Sequence, residues 1–430
     1  MHRFLSLFLF LFVLAGMGPA AGQSSLSSTP PDSSTVPTPT TSEPESGDER
    51  TGWMEGNAPV VEHADDYVGA YDGHEAPYGQ ESAVYRAPPP VRYNRVEGLV
   101  VGLQREPLSA GADEETRLFG QLGYATALRD VRYTAGLESR LYASKKTSLT
   151  LGLAYQEQTL SPDAWKTSYL ENSLASAGFR HDFFDYYEAE GLTVYGRQAL
   201  PGSFQFTTGL RVEEHRRLPV ATNWSVFGDG RFRTNPTVDE GRMRALFAEL
   251  TGGQIHDREG LPSGQAVRLA ATTADGIGGD FDFSRYEADA RFFLPLTPDT
   301  RLGLRLRGGY ATHRAPRQMQ FTIGGIGSAR SYAQNAVRGP RLLLANAEYL
   351  IDGATVIDGL FDDLFLAGLL DAGWTGGPTD RPRADEVLPS AGFGIGLDGR
   401  QARLDVTWPL RDGPGTSSRP SVWLRVAPSF

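Results

Sequence analysis

From residue 92 to the last residue the chain alternates. Leu302, Leu304, Leu306, Gly308 and Tyr310 are interleaved with Arg301, Gly303, Arg305, Arg307 and Gly309. Leu149, Leu151, Leu153 and Tyr155 alternate with Ser148, Thr150, Gly152 and Ala154, and Ala402, Leu404, Val406 and Trp408 with Arg403, Asp405 and Thr407. Period two sends successive side chains to opposite faces of a strand, here one apolar and one polar, small or charged. The pattern predicts strands at 93–105, 116–128, 130–142, 146–158, 190–200, 204–215, 241–255, 265–274, 281–294, 300–311, 340–352, 361–373, 388–398, 400–409 and 419–430. A patchier run at 222–233 brings the total to sixteen, an even number as bacterial barrels require; fourteen follows if one of the others is false.

A soluble sandwich and a membrane barrel both produce such strands. Segment length favours the barrel, because a tilted strand needs about 9–11 residues to cross a bilayer. After the N-terminus no segment has the roughly 20 apolar residues of a spanning helix, which leaves only strands closed on themselves. The chain ends SVWLRVAPSF, with Val422, Leu424, Val426, Pro428 and Phe430 on one face. A terminal aromatic at the membrane interface fits an outer-membrane barrel, and Phe430 reads as a C-terminal assembly signal. The expected fold is all-β, a transmembrane antiparallel β-barrel over residues 92–430.

The N-terminus changes the picture of where the chain goes. His2 and Arg3 precede an apolar run from Phe4 to Ala15, followed by Gly16, Pro19, Ala20, Ala21 and Gly22. This is the layout of a secretory signal peptide, residues 1–22. Residues 23–50 are mostly Ser, Thr and Pro, and residues 51–91 are acidic with scattered tyrosines. Such a segment buries too little apolar surface to offset its ordering entropy, so 23–91 is read as a disordered tail. Lys and Arg number 41 against 52 Asp and Glu, a net charge of −11, which argues against a nucleic-acid partner. The chain has no cysteine, which removes disulfides, thiolate metal sites and thiol catalysis.

Candidate chemistry is sparse. The seven histidines form no close His-x-x-His or His-x-x-x-His pair, and the His181–Asp182 and His256–Asp257 pairs read as solvated loop residues rather than acid–base machinery. No catalytic, cofactor-binding or metal-binding residue is assigned, and the chain is read as a non-enzyme. Residues 164–191 form the longest insertion, with Trp165, Tyr169, Leu170, Leu174 and Phe179 giving a partial helical stripe suited to a loop helix on the rim.

The sharper constellation lies at 318–332, QMQFTIGGIGSARSY, followed by RLLLANAEYLI and FLAGLLDAGW. Ile323-Gly324-Gly325, then Ala329-Arg330-Ser331-Tyr332, then Asn346 and Glu348, then Leu369, Asp371 and Gly373 stand in order, with five predicted strands after the loop. This order resembles the BamA/FhaC-type outer-membrane superfamily, also called the bacterial surface antigen family. Its signature has a Gly-Gly step, a Val-Arg-Gly-aromatic loop motif and a later Phe-x-Asp-x-Gly motif; here the tetrad keeps the Arg and the aromatic, and Leu369 replaces the Phe. The resemblance covers 318–430 specifically. It implies a loop folded into the lumen, with Arg330 anchored on Asp371 and Glu348, Gly324 and Gly325 permitting the turn, and Tyr332 beside it. A guanidinium forking onto carboxylates is a strong anchor on chemical grounds as well.

The resemblance implies protein assembly into, or secretion across, the outer membrane. Expected partners are outer-membrane lipid and an unfolded client protein, for a barrel read as monomeric. Family members that do this work carry periplasmic POTRA domains, and 23–91 holds no recognisable one, so a separate POTRA-bearing chain is the expected supplier. The alternative is a passive porin or uptake channel, with selectivity set by Arg301, Arg305, Arg307 and Glu287.

Overall fold

A computed structural model describes residues 87–426, apart from 106–115, 145, 259–260, 354–363, 378, 398–401 and 417–418. The expectations for the signal peptide, for nearly all of the 23–91 tail and for Phe430 lie outside the described residues. The strands are β1 (Arg92–Asn94), β2 (Gly98–Arg105), β3 (Thr116–Ala125), β4 (Asp130–Ala143), β5 (Ser148–Leu160), β6 (Tyr187–Leu200), β7 (Phe204–Arg217), β8 (Gly241–Arg258) and β9 (Leu261–Thr273). They continue with β10 (Ser284–Thr297), β11 (Thr300–Ala311), β12 (Phe321–Ile323), β13 (Val337–Gly339), β14 (Arg341–Asp352), β15 (Leu364–Gly376), β16 (Leu388–Leu397), β17 (Ala402–Pro409) and β18 (Ser421–Val426). Among the described residues one α-helix, α1 (Tyr169–Phe179), lies between β5 and β6.

Sixteen of these strands make one antiparallel sheet in chain order, with β12 and β13 forming a separate hairpin. Every neighbour in the large sheet is next along the chain, apart from β11 and β14, which flank that hairpin. Up-and-down order places connections 161–186, 218–240 and 312–340 at one end. The turns 144–147, 201–203 and 298–299 lie at the other. Outer-membrane barrels keep short turns on the periplasmic side, which makes the long-loop end the outer one.

The two faces of the sheet are inverted relative to a soluble protein. Leu103, Leu118, Leu122, Leu306, Leu343, Leu370, Phe393 and Leu404 are exposed, while Arg132, Glu138, Asp289, Arg305, Glu348, Asp371, Arg403 and Asp405 are buried. Soluble domains do not present an apolar face this continuous while burying charge. A barrel does, with lipid outside and a polar interior. No described helix is long and apolar enough to cross a membrane. The soluble-sandwich alternative fails on this arrangement.

Two strand expectations need correction. Residues 222–233 form no strand and belong to the loop joining β7 to β8. The sixteenth strand comes instead from the run 93–105, which breaks into β1 and β2. The Asn94 side chain accepts from the amides of Val96 and Glu97 at 2.9 and 2.7 Å, and Gly98 turns at φ +72°. An Asx turn followed by a left-handed glycine ends the strand, and Arg95 and Glu97 interrupt the apolar parity of Tyr93, Leu99, Val101 and Leu103 there.

Candidate functional site

The hairpin β12–β13 and the turn between them carry the glycine-rich motif. Gly324 and Gly325 have φ of +110° and +84°, values an L side chain rarely adopts, which is why glycine stands there. The Gly325 amide is shared between the carbonyls of Ala329 and Tyr332, curling 325–332 into a compact turn. That turn delivers Arg330, only 2% exposed, to the buried face of the sheet.

Arg330 meets carboxylates from three strands. Its Nη2 donates to Asp371 Oδ1 at 2.7 Å and its Nε to Asp371 Oδ2 at 3.0 Å, a fork-on-fork pair, and its own backbone amide reaches the same carboxylate at 3.2 Å. Nη1 donates to Glu348 Oε1 at 2.9 Å and approaches Asp405 Oδ2 at 3.4 Å. Asn346 Nδ2 and Ser390 Oγ add bonds to Asp371 at 2.7 and 2.9 Å. Burial opposes the guanidinium's charge, but Asp371, Glu348 and Asp405 outweigh it and hold its pKa well above the ordinary value.

Register explains why these groups meet. Asn346 lies opposite Asp371, and Asp371 opposite Ser390, so the three form one row across β14, β15 and β16. Glu348 is two residues along β14 on the same face. The structure thus brings together Arg330, Asp371 and Glu348, with Gly324 and Gly325 shaping the turn. Tyr332 sits apart from the carboxylates, its hydroxyl 3.0 Å from the Pro389 carbonyl oxygen and 2.9 Å from that of Arg411.

Sequence reasoning missed Arg403 and Asp405 of β17. Arg403 clamps Glu348 through Nη1 and Nη2 at 2.7 and 2.9 Å and pairs with Asp405 at 2.7 Å. To do so it crosses β16 and β15, and it can because the buried face of β16 carries Gly392, Gly394 and Gly396. A Cβ on Gly394 would lie 2.5 Å from Asp405 Oδ1. The signal was present in AGFGIGL, where three successive inward positions lack a side chain.

The insertion 161–186 was also underread. Its Lys166 binds Thr322 and Asn335 of the glycine-rich loop, and its Asp163 accepts from Thr322 at 3.0 Å and Asn335 at 2.9 Å. Asp185 accepts from Asn335 and Arg338 at 2.8 and 3.0 Å. Asp182 is not the solvated residue expected from its place in a loop; it is buried against Arg95 at 3.0 Å. Gly327, at φ +68°, lies so close to the insertion that a Cβ would fall 1.8 Å from the Lys166 carbonyl oxygen. Gly327→Ala should therefore cost about 1–3 kcal/mol by overpacking. Limited proteolysis should cut 312–340 sooner in this variant than in the parent; unchanged resistance would contradict the packing.

A second buried charge cluster lines β9, β10 and β11. Asp289 is held by Arg305 at 2.5 Å, Arg307 at 2.7 Å and Arg291 at 3.4 Å, and Glu287 by Arg268, Arg285 and Arg307 at 2.5–2.7 Å. The Trp165 ring covers it, 4.2 Å from the Arg307 guanidinium carbon and 5.0 Å from that of Arg305. Arg301 turns its Nη1 to the carbonyls of Thr297, Pro298 and Thr300.

Residues 257–418 match the Omp85 superfamily domain, a span that contains the glycine-rich loop, Arg330 and all three of its carboxylate partners. That stretch of the chain is an Omp85 superfamily domain. The protein belongs to the outer membrane. Residues 72–249 match the C-terminal domain of a family of unknown function, DUF5686. No curated protein matches the chain. Among solved structures, the chain is similar to BamA from Haemophilus ducreyi lacking POTRA domains 1–3, at 14% identity and TM-score 0.48, over 77% of this chain and 67% of that one. It is also similar to CdiB from Acinetobacter baumannii (13%, 0.41, 78% and 57%) and CdiB from Escherichia coli (14%, 0.42, 78% and 60%). The chain thus spans between 57% and 67% of those structures.

Proposed function

We propose that this Omp85-type barrel assists the assembly of proteins into the outer membrane or their secretion across it, with loop 312–340 anchored inside the lumen by Arg330. The observation that carries the reading is the buried Arg330 guanidinium on Asp371 and Glu348, within the Omp85 domain match. Asp371 stands five residues below Gly376, the outer end of β15, so the anchor would lie about 17 Å down the strand. An anchored loop at that depth would steady the inner wall beside the last strands. The partners on this reading are outer-membrane lipid, an unfolded client and a separate chain bearing POTRA domains.

The channel reading has less support. Of the residues that would set selectivity, Arg305, Arg307 and Glu287 are tied up in ion pairs under Trp165, and Arg301 is turned to backbone carbonyls. Purified protein in planar bilayers should give no sustained ohmic conductance. A stable, large conductance step on each insertion would favour the passive channel.

A further inference from the structure

The large sheet has two ends, β1 and β18, and among the described residues no pairing joins them. Helix α1 stands between them. Each residue of a helix turns about 100°, so Glu171 and Ser173 project from opposite flanks, while Leu170, Leu174, Ala177 and Gly178 share a third face. The Glu171 flank meets β18: Oε1 accepts from Arg425 Nε at 2.7 Å and from the Val426 backbone amide at 3.2 Å. The Ser173 flank meets β1: its Oγ accepts from the Tyr93 backbone amide at 3.1 Å. Both amides belong to terminal strands of the sheet, and an unpaired strand edge leaves such donors to be satisfied by whatever lies alongside.

The rest of the helix fits the same position. Asn172 faces inward and donates to the Tyr186 hydroxyl at 2.9 Å, and Phe183 packs edge-on against Trp423 of β18. The loop joining β7 to β8 straps the helix from above, with Val226 and Phe227 amides donating to the Ala177 and Gly178 carbonyls at 2.7 and 2.9 Å. The third face is bare: Leu170 is 57% and Leu174 50% exposed. Val422 and Leu424 on β18 and Leu99 and Val101 on β2 are exposed as well.

We propose that α1 is part of the barrel wall, a wedge that fills the seam between the first and last strands and turns its Leu170–Leu174 face to lipid acyl chains. The seam there is closed by side-chain caps on a helix, and parting it means withdrawing α1 from Glu171's contacts with β18. The inference rests on the barrel fold alone and stands whether or not the assembly role does.

The absence of cysteine lets single spin labels be placed without background. Leu170→Cys and Leu174→Cys would be labelled in the full chain, reconstituted in phosphatidylethanolamine–phosphatidylglycerol vesicles, and checked for heat-modifiable migration. Collisions with oxygen should exceed those with a water-soluble nickel chelate, as for a label at Val422→Cys on the lipid face. A label at His181→Cys, in the exposed turn after the helix, should show the reverse. If residues 170 and 174 behave like 181, the helix lies on a wet rim and the proposal is overturned. In a Glu171→Gln background the label at 174 should become several-fold more mobile and open to nickel. A label that stays immobile and shielded there would show that the carboxylate does not hold the wedge.

Discussion

Arg330→Ala should free loop 312–340 from the wall while leaving the barrel assembled. Removing one partner of a buried ionic cluster costs about 3–5 kcal/mol, less where water reaches the site. Much of that penalty is softened here, because Glu348 keeps both nitrogens of Arg403 and Asp371 keeps Asn346 and Ser390. The remaining loss falls on the loop. Protease access across 326–338 should rise before heat-modifiable migration is affected. Arg330→Lys should not restore protection, since an ammonium cannot make the paired contacts to Asp371. Asp371→Ala should have the smaller effect, because Arg330 would retain Glu348 and Asp405. The double variant should be less than additive by about 1–3 kcal/mol. Simple addition of the two effects would mean that the pair is not coupled.

Asp289→Ala should be more damaging to the fold itself. Three guanidiniums converge on this one buried carboxylate. Removing the anion they share from a buried ionic cluster costs about 3–5 kcal/mol. The amount of heat-modifiable barrel in outer membranes should fall sharply at unchanged synthesis. Asp289→Asn, which keeps the shape and loses the charge, should fall nearly as far. Normal assembly of both variants would show that the cluster is hydrated well enough to do without its central anion.

The strands were legible because a membrane barrel enforces period two on every segment, so Leu302 to Tyr310 and Ala402 to Trp408 announce their faces without help from their neighbours. The sixteen-strand total was reached through the wrong segment. Arg95 and Glu97 break the apolar parity at the turn made by Asn94 and Gly98, a fault of only two positions that a period-two reading of the whole run passes over. The helical stripe at Trp165, Tyr169, Leu170, Leu174 and Phe179 also misled. Tyr169 is buried while Leu170 and Leu174 are exposed, because α1 meets two strands and an open side rather than one core.

The Arg330 group was visible where a charge stood on an inward position next to a motif of known order. Arg403 and Asp405 looked like any other interior charges, since their reach depends on glycines of a neighbouring strand. Contacts between distant loops, such as Asp163 with Asn335, leave no periodic trace at all.

The central claim is that this barrel handles other proteins at the outer membrane. Its most direct test is quantitative proteomics of outer membranes and culture medium after depletion, with complementation by the parent or Arg330→Ala chain. The account predicts that a defined set of outer-membrane or exported proteins is lost on depletion, restored by the parent and restored only in part by Arg330→Ala. An unchanged protein profile, accompanied by a defect in uptake of a small solute, would contradict it.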